Sequence, residues 1–158
     1  MLSKQRICKG TSVVKVLSVL VGIVIFFSTG AAVSEDQAGL RYWEGIKKDA
    51  IETESGLQYK ILINGSGRKP TIKSRVSVHY RGLLLDGAVF DSSYSSDEPV
   101  TFGLKRVIAG WTEGIQLMPE GSVFVFLIPP ELAYGDKGAG IIPPDATLIF
   151  EVELFDIK

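Results

Sequence analysis

Val107-Ile108-Ala109-Gly110-Trp111-Thr112-Glu113-Gly114-Ile115-Gln116-Leu117-Met118 is the one stretch beyond Gly56 whose apolar residues recur at convincing helical spacing. Trp111, Ile115 and Met118 stand at i, i+4 and i+7, with Val107 and Ile108 leading in, so the spacing predicts a helix with one apolar face. Gly110 and Gly114 each weaken that helix by about 1 kcal/mol relative to alanine. Close approach to a sheet is the expected compensation. Pro119 and Gly121 end the helix.

On both sides of this helix the period is two. Leu57, Tyr59, Ile61 and Ile63 alternate with Gln58, Lys60 and Leu62, and Asn64-Gly65-Ser66-Gly67 reads as a turn. Val76, Val78 and Tyr80 alternate with Ser77, His79 and Arg81, which aims Tyr80 at the core and His79 away from it. Asp86-Gly87, between Leu83 and Phe90, is a hairpin turn signal. Val123 to Ile128 reads as a buried strand closed by Pro129-Pro130. In the last strand Leu148, Phe150, Val152 and Leu154 face inward, with Glu151 and Glu153 outward. The predicted fold class is α+β, a curved antiparallel β-sheet half-wrapped around one short α-helix. There is no internal repeat and no low-complexity segment.

Ahead of this domain lie two segments of different character. Residues 33–54 are polar and mixed, with Leu40, Trp43, Ile46 and Ala50 at helical spacing. They are expected to be a linker or a short helical arm packed on the domain. A dimerisation helix is the alternative, but one or two turns of apolar face rarely hold a dimer alone. Residues 1–32 resemble a targeting segment: Lys4, Arg6 and Lys9 precede the apolar run Val16–Phe27, and Ser28-Thr29-Gly30-Ala31-Ala32 supplies small residues for a signal peptidase. Cleavage is expected after Ala32. The competing reading is an uncleaved anchor, since no charge appears from Val16 to Val33, barely enough to span a bilayer. Either way the domain of residues 55–158 is exported. The expected location is the periplasm, with the inner membrane or the outer surface and medium as alternatives.

Charge and cysteine content exclude several classes. Residues 1–32 carry four basic and no acidic side chains, so the other 126 residues hold 13 Lys/Arg against 18 Asp/Glu, a net of −5. An acidic domain without a basic stripe is a poor partner for nucleic acid. Membrane contact is expected only if the leader is uncleaved. Cys8 is the lone cysteine, so no intramolecular disulfide and no cysteine-based zinc site can form.

Few residues invite acid–base chemistry. His79 is the only histidine, no Gly-x-Ser-x-Gly accompanies it, and its strand position turns it outward. No metal site and no cofactor are expected. Gly135-Asp136-Lys137-Gly138-Ala139-Gly140 lacks the Gly-Lys-Ser/Thr ending of a phosphate loop and opens no helix, so it reads as a flexible loop. Asp91 reads equally well as a turn or N-cap residue and as a functional carboxylate. Tyr80, Phe90, Phe102, Trp111, Tyr134 and Phe150 suffice for an ordinary core, and composition does not separate a core from a pocket.

Six strings taken together resemble FKBP-type peptidyl-prolyl cis-trans isomerases, in the family's order. They are Val78-His79-Tyr80-Arg81-Gly82, Gly87-Ala88-Val89-Phe90-Asp91-Ser92-Ser93, Val107 to Gly114, Ile128-Pro129-Pro130, Leu132-Ala133-Tyr134-Gly135 and Ile141 to Phe150. The resemblance covers about Thr53 to Lys158. The approach Thr53-Glu54-Ser55-Gly56-Leu57-Gln58-Tyr59 is similar to the bacterial branch that includes the macrophage infectivity potentiator. The long N-terminal dimerisation helix of those relatives finds no room here, so their dimer is not expected.

The resemblance implies a proline pocket between sheet and helix. Trp111 would be its floor, with Tyr80, Phe90, Val107, Ile108 and Phe150 as walls. Asp91 would bond Tyr80 and face the proline. The Ile108 N–H and the Tyr134 hydroxyl would bind substrate carbonyls. Val100 and Phe102 would complete the substrate contacts, with Ile141 and Ile142 in an overhanging loop. Three departures bear on sequence preference and macrolide affinity. Val100 replaces a frequent phenylalanine, Ser96 a frequent basic residue near Asp91, and the loop from Gly135 to Ile141 is short and lacks a common histidine. The implied function is X-Pro isomerisation during the folding of exported proteins, without cofactor. Proline-containing unfolded or flexible polypeptides are the expected substrates and macrolides possible inhibitors. The alternative is a proline-recognising binding module or chaperone with little turnover.

Overall fold

A computed structural model describes residues 38–96 and 98–158. The expected leader with Cys8, and the first residues of the expected linker or arm, lie outside the described residues. Seven strands form one antiparallel sheet: β1 (Ile51–Glu52), β2 (Gln58–Ile63), β3 (Arg75–Leu84), β4 (Val89–Ser92), β5 (Val100–Gly103), β6 (Val123–Ile128) and β7 (Leu148–Ile157). Their order is β1-β2-β6-β7-β3-β4, and β5 pairs with β3 beside β4. Helix α2 (Ala109–Leu117) packs on one face and helix α1 (Ala38–Ile46) on the other. The predicted α+β sheet around a short helix is present. Among the described residues, no helix is long and apolar enough to cross a membrane.

The main core lies between the sheet and α2. Val76, Val78, Leu148, Val152 and Leu154 are fully buried there, as the alternation in β3 and β7 predicts. Ile115 and Met118 are buried from the helix side. The two helix glycines have the expected role. A Cβ on Gly114 would fall 2.6 Å from Phe126 Cε1, and one on Gly110 would fall 2.5 Å from Ile128 Cγ2. Their absence sets how closely α2 approaches β6. Gly45 in α1 has nothing within 4 Å of its would-be Cβ. Gly114→Ala is therefore expected to destabilise the fold by about 2 kcal/mol through overpacking. Gly45→Ala, with open space, should stabilise it by about 0.5–1 kcal/mol. Urea denaturation of the two variants checks the opposite signs.

Helix α1 packs on the sheet. Trp43 is 1% exposed and joins Leu83, Val125 and Ile149 in a second, smaller core on the far face of the sheet. Backbone bonds from Ala38 and Leu40 N–H to Asp86 and Leu85 carbonyls tie α1 to the β3–β4 hairpin. The Tyr42 hydroxyl donates to Glu151, which also accepts from Arg81. Burial and the Glu151 carboxylate push the Tyr42 hydroxyl pKa up to about 12.

One expectation needs correction. Leu57 is fully buried and Tyr59 stacks on Phe124 at 5.6 Å, but Ile61 and Ile63 are exposed. Leu62 is an extra residue in the ladder, since Ile61 pairs with Phe124 and Ile63 with Val123, so the alternation shifts at Ile63. Beyond the two-residue β1, this end of β2 forms the sheet edge.

Candidate active site

A cavity of about 400 Å³ opens where α2 meets the concave sheet. Trp111 is its floor, 5% exposed. Three rings meet the indole at steep angles: Tyr80 with centroids 5.0 Å apart, Phe150 at 5.2 Å and Phe102 at 5.6 Å. Such edge-to-face pairs lock one another's orientation. The indole Nε1 is buried and has no partner among the described residues. Phe90 stands at 90° to Phe150, 5.3 Å away, as a wall.

The way Phe90 and Asp91 reach the same cavity depends on a break in β4. Gly82 pairs with Asp91 and Leu83 with Val89, so Phe90 is an extra residue, a β-bulge. Neighbours in a regular strand face opposite sides; a bulge lets both line one cavity. Gly82 makes room for the result. A Cβ there would fall 2.6 Å from Phe90 Cζ and 2.8 Å from Phe150 Cε1.

Tyr80 O–H donates to Asp91 Oδ2 at 2.7 Å. Burial chiefly, and then the hydrogen bond and charge of Asp91, push the Tyr80 hydroxyl far above its ordinary pKa. Tyr80 therefore stays protonated, and its proton is committed to Asp91. This bond removes the turn or N-cap reading of Asp91, which lies within β4.

Ile108 caps the start of α2 in an extended conformation, φ −59° and ψ 154°. Its carbonyl accepts from the Trp111 and Thr112 N–H groups at 3.0 Å. Among the described residues its own N–H has no backbone partner, as expected at a helix start. Val107 lines the cavity beside it, and Tyr134, 39% exposed, stands at the mouth.

Three expected contacts fall elsewhere. Val100 sits on β5 opposite Val78 and does not line the cavity. The Ile141–Ile142 loop is drawn into a tight turn by paired backbone bonds between Ala139 and Ile142. That turn tucks Ile142 into the main core at 7% exposure and leaves Ile141 69% exposed, so neither lines the cavity. Conversely, Arg106 lines it and Gly82 shapes it, and neither was singled out from sequence. For Gly82 a signal existed, since glycine inside a strand marks close approach of another group. Arg106 is placed by a 3-10 turn, Leu104–Arg106, that no periodicity announced.

His79 lies off the cavity, as its strand position predicts. Its Nδ1 is 3.0 Å from Ser93 Oγ, and its ring stacks on Tyr94 and meets the edge of Phe155. Ser93 Oγ in turn accepts from the Tyr80 N–H at 2.8 Å. This group holds the β3–β4 junction and brings no base to the cavity.

An aromatic cavity with one tyrosine–carboxylate bond can hold a small apolar ring and offers no nucleophile–base pair. Known proteins are similar to the stretch of chain that builds it. The family model for FKBP-type peptidyl-prolyl cis-trans isomerases matches residues 66–155. The FKBP-type peptidyl-prolyl cis-trans isomerase FkpA of Aeromonas hydrophila is 51% identical over 129 residues, covering 80% of this chain and 48% of the relative. The peptidyl-prolyl cis-trans isomerase Mip of Coxiella burnetii is 49% identical over 113 residues, covering 70% and 49%. The crystal structure of FkpA from Escherichia coli matches with a TM-score of 0.70 and 43% identity, over 76% of this chain and 57% of that one. The chain thus spans about half the length of the curated relatives it matches. The matched sequence places this chain in the FKBP-type peptidyl-prolyl cis-trans isomerase family.

Proposed function

We propose that this chain accelerates X-Pro isomerisation in exported polypeptides as they fold. The observation that carries this reading is the cavity floored by Trp111 and walled by Tyr80, Phe90 and Phe150, with Asp91 held by Tyr80. An X-Pro bond favours trans only slightly but changes isomer slowly. The barrier, about 18–20 kcal/mol, comes from lost amide resonance. A twisted amide has less charge separation than either planar form. An apolar, water-poor cavity therefore favours the twisted state relative to water, which is differential binding without acid or base. A thousand- to millionfold acceleration needs about 4–8 kcal/mol. Burial of the amide, a fitted proline ring and an anchored carbonyl share that contribution.

In this reading Trp111, Phe90, Tyr80, Phe102, Val107 and Phe150 enclose the proline. The Ile108 N–H and the Tyr134 hydroxyl bind substrate carbonyls, and Asp91 faces the reacting amide. Macrolides that place a proline-like ring in the cavity are inhibitors. Residues 1–32 act as the export leader, residues 33–54 as the arm that carries α1, and residues 55–158 as the isomerase domain. The periplasm is the site of action, and the exported clients are held by their prolines.

The deciding experiment is cis-to-trans isomerisation of an X-Pro peptide by the purified chain, with and without a macrolide. Inhibitable turnover is expected. A folded protein that binds the macrolide but turns nothing over would instead be a proline-recognising binding module. Within the isomerase, Asp91→Leu should lower kcat/KM about tenfold or more, the scale of one charge-assisted hydrogen bond. His79→Ala should leave kcat/KM nearly unchanged, because its contacts lie off the cavity. Equal losses would mean that His79 supports the site through Ser93.

A further inference from the structure

Beside the proline cavity lies a second groove of about 420 Å³, and the two share Phe102 and Arg106. One wall is the Thr71–Ser74 turn, closed by bonds from Ser74 N–H to the Thr71 carbonyl and from Thr71 N–H to Ser74 Oγ. The other wall is β5 and the 3-10 turn that follows it. That turn is firmly placed. The Leu104 side chain is fully buried, its N–H donates to the Ser74 carbonyl, and its carbonyl accepts from Thr112 Oγ1 at 2.7 Å.

The groove is basic although residues 33–158 carry a net charge of −5. Lys73, Arg75, Lys105 and Arg106 line it, and among the described residues no acidic side chain does. All four are exposed. Among the described residues none of them forms an ion pair; the ion pairs there join Lys47 to Glu44, Lys60 to Asp49 and Arg81 to Glu151. Four unneutralised cations along one groove have no folding role to account for them. They repel one another and raise the local concentration of anions.

Continuity with the cavity indicates what kind of anion fits. The start of β3 and the end of β5, paired at Arg75 and Gly103, carry the groove between them. Thr101, Phe102 and Gly103 of β5 line the groove. Because Phe102 and Arg106 line both cavity and groove, a polypeptide whose proline occupies the cavity has its flanking residues beside this groove. A small anion would instead be expected in a buried cradle, and these cations are spread and exposed.

We propose that Lys73, Arg75, Lys105 and Arg106 form a groove for acidic polypeptide, continuous with the proline cavity, which directs this chain to X-Pro bonds flanked by Asp or Glu. The inference rests on the isomerase reading above and deepens it. Arg106 and Phe102 stand at the junction, so a chain with its proline over Trp111 passes its flank along the cations.

The test compares kcat/KM of the full chain on three peptides with one X-Pro core and flanks of glutamate, glutamine or lysine, placed before or after the proline. The glutamate peptide is expected to exceed the glutamine peptide by about tenfold at low salt, since several exposed charges act together. The ratio should fall toward one when salt is raised from about 10 mM to about 1 M, as the Debye length shrinks from about 30 Å to about 3 Å. The triple variant K73Q/R75Q/K105Q should lose the ratio while still turning over the glutamine peptide, which reports on folding and the proline cavity. A wild-type ratio near one, or a ratio unchanged in the triple variant, overturns the proposal. If no peptide is turned over, the isomerase reading fails, and the groove is judged by fluorescence anisotropy of a labelled glutamate-rich peptide without proline. Salt-sensitive binding that the triple variant loses sustains the groove. Binding to anionic lipid vesicles with none to the acidic peptide overturns it.

Discussion

Trp111→Ala is expected to lower kcat/KM about a hundredfold or more, a loss of at least about 2.7 kcal/mol in transition-state binding. The indole is the floor against which Tyr80, Phe102 and Phe150 set their edges. Removing it leaves the proline ring without a base and lets those rings reorient into the gap. The same change costs about 3–5 kcal/mol of stability, as large-to-small substitutions of buried aromatics do. Trp111→Leu separates the two effects, because it keeps an apolar side chain and a good helix former at a 5% exposed site. Steady-state kinetics on protein verified as folded by circular dichroism is the measurement. Near wild-type turnover by folded Trp111→Leu would show that isomerisation happens elsewhere.

The other tryptophan should behave in the opposite way. Trp43→Ala is expected to cost about 3–5 kcal/mol of stability yet leave turnover per folded molecule unchanged. Trp43 is almost fully buried, but it packs with Leu83, Val125 and Ile149 on the face of the sheet away from the cavity. Its loss undocks α1 and exposes that second core. Chemical denaturation reads the first effect, and kcat/KM below the unfolding transition reads the second. A large fall in kcat/KM at full folding would mean that the sheet transmits strain from α1 to Tyr80 and Phe150.

Much of the frame was legible because burial leaves a periodic trace. Val76, Val78 and Tyr80 in β3, and Leu148 to Leu154 in β7, are buried where their period-two pattern puts them. The i, i+4, i+7 set Trp111, Ile115 and Met118 faces the core from α2, and both glycines sit where the helix meets β6. The same reasoning failed at Ile61 and Ile63. Periodicity reports which residues share a face, not whether anything covers that face, and a bulge at Leu62 shifts the register there.

The aromatic residues of the site were also legible, through their motif strings. Their arrangement was not. Phe90 and Asp91 are adjacent in sequence, and alternation alone sends them to opposite sides; the bulge opposite Gly82 and Leu83 brings both to one cavity. Ile141 and Ile142, expected over the site, are held by the Ala139–Ile142 turn outside it. Arg106 joins the cavity, and the four cations join one groove, because Leu104 anchors a short turn beside β5. Local sequence therefore sets the strands, the helix and the chemical character of the pocket, since propensity and apolar spacing act over a few residues. Which side chains converge was left to register shifts, glycine-permitted contacts and turn anchoring between segments far apart in the chain. Those depend on which backbone groups pair across the sheet, a choice that no single stretch of residues makes alone.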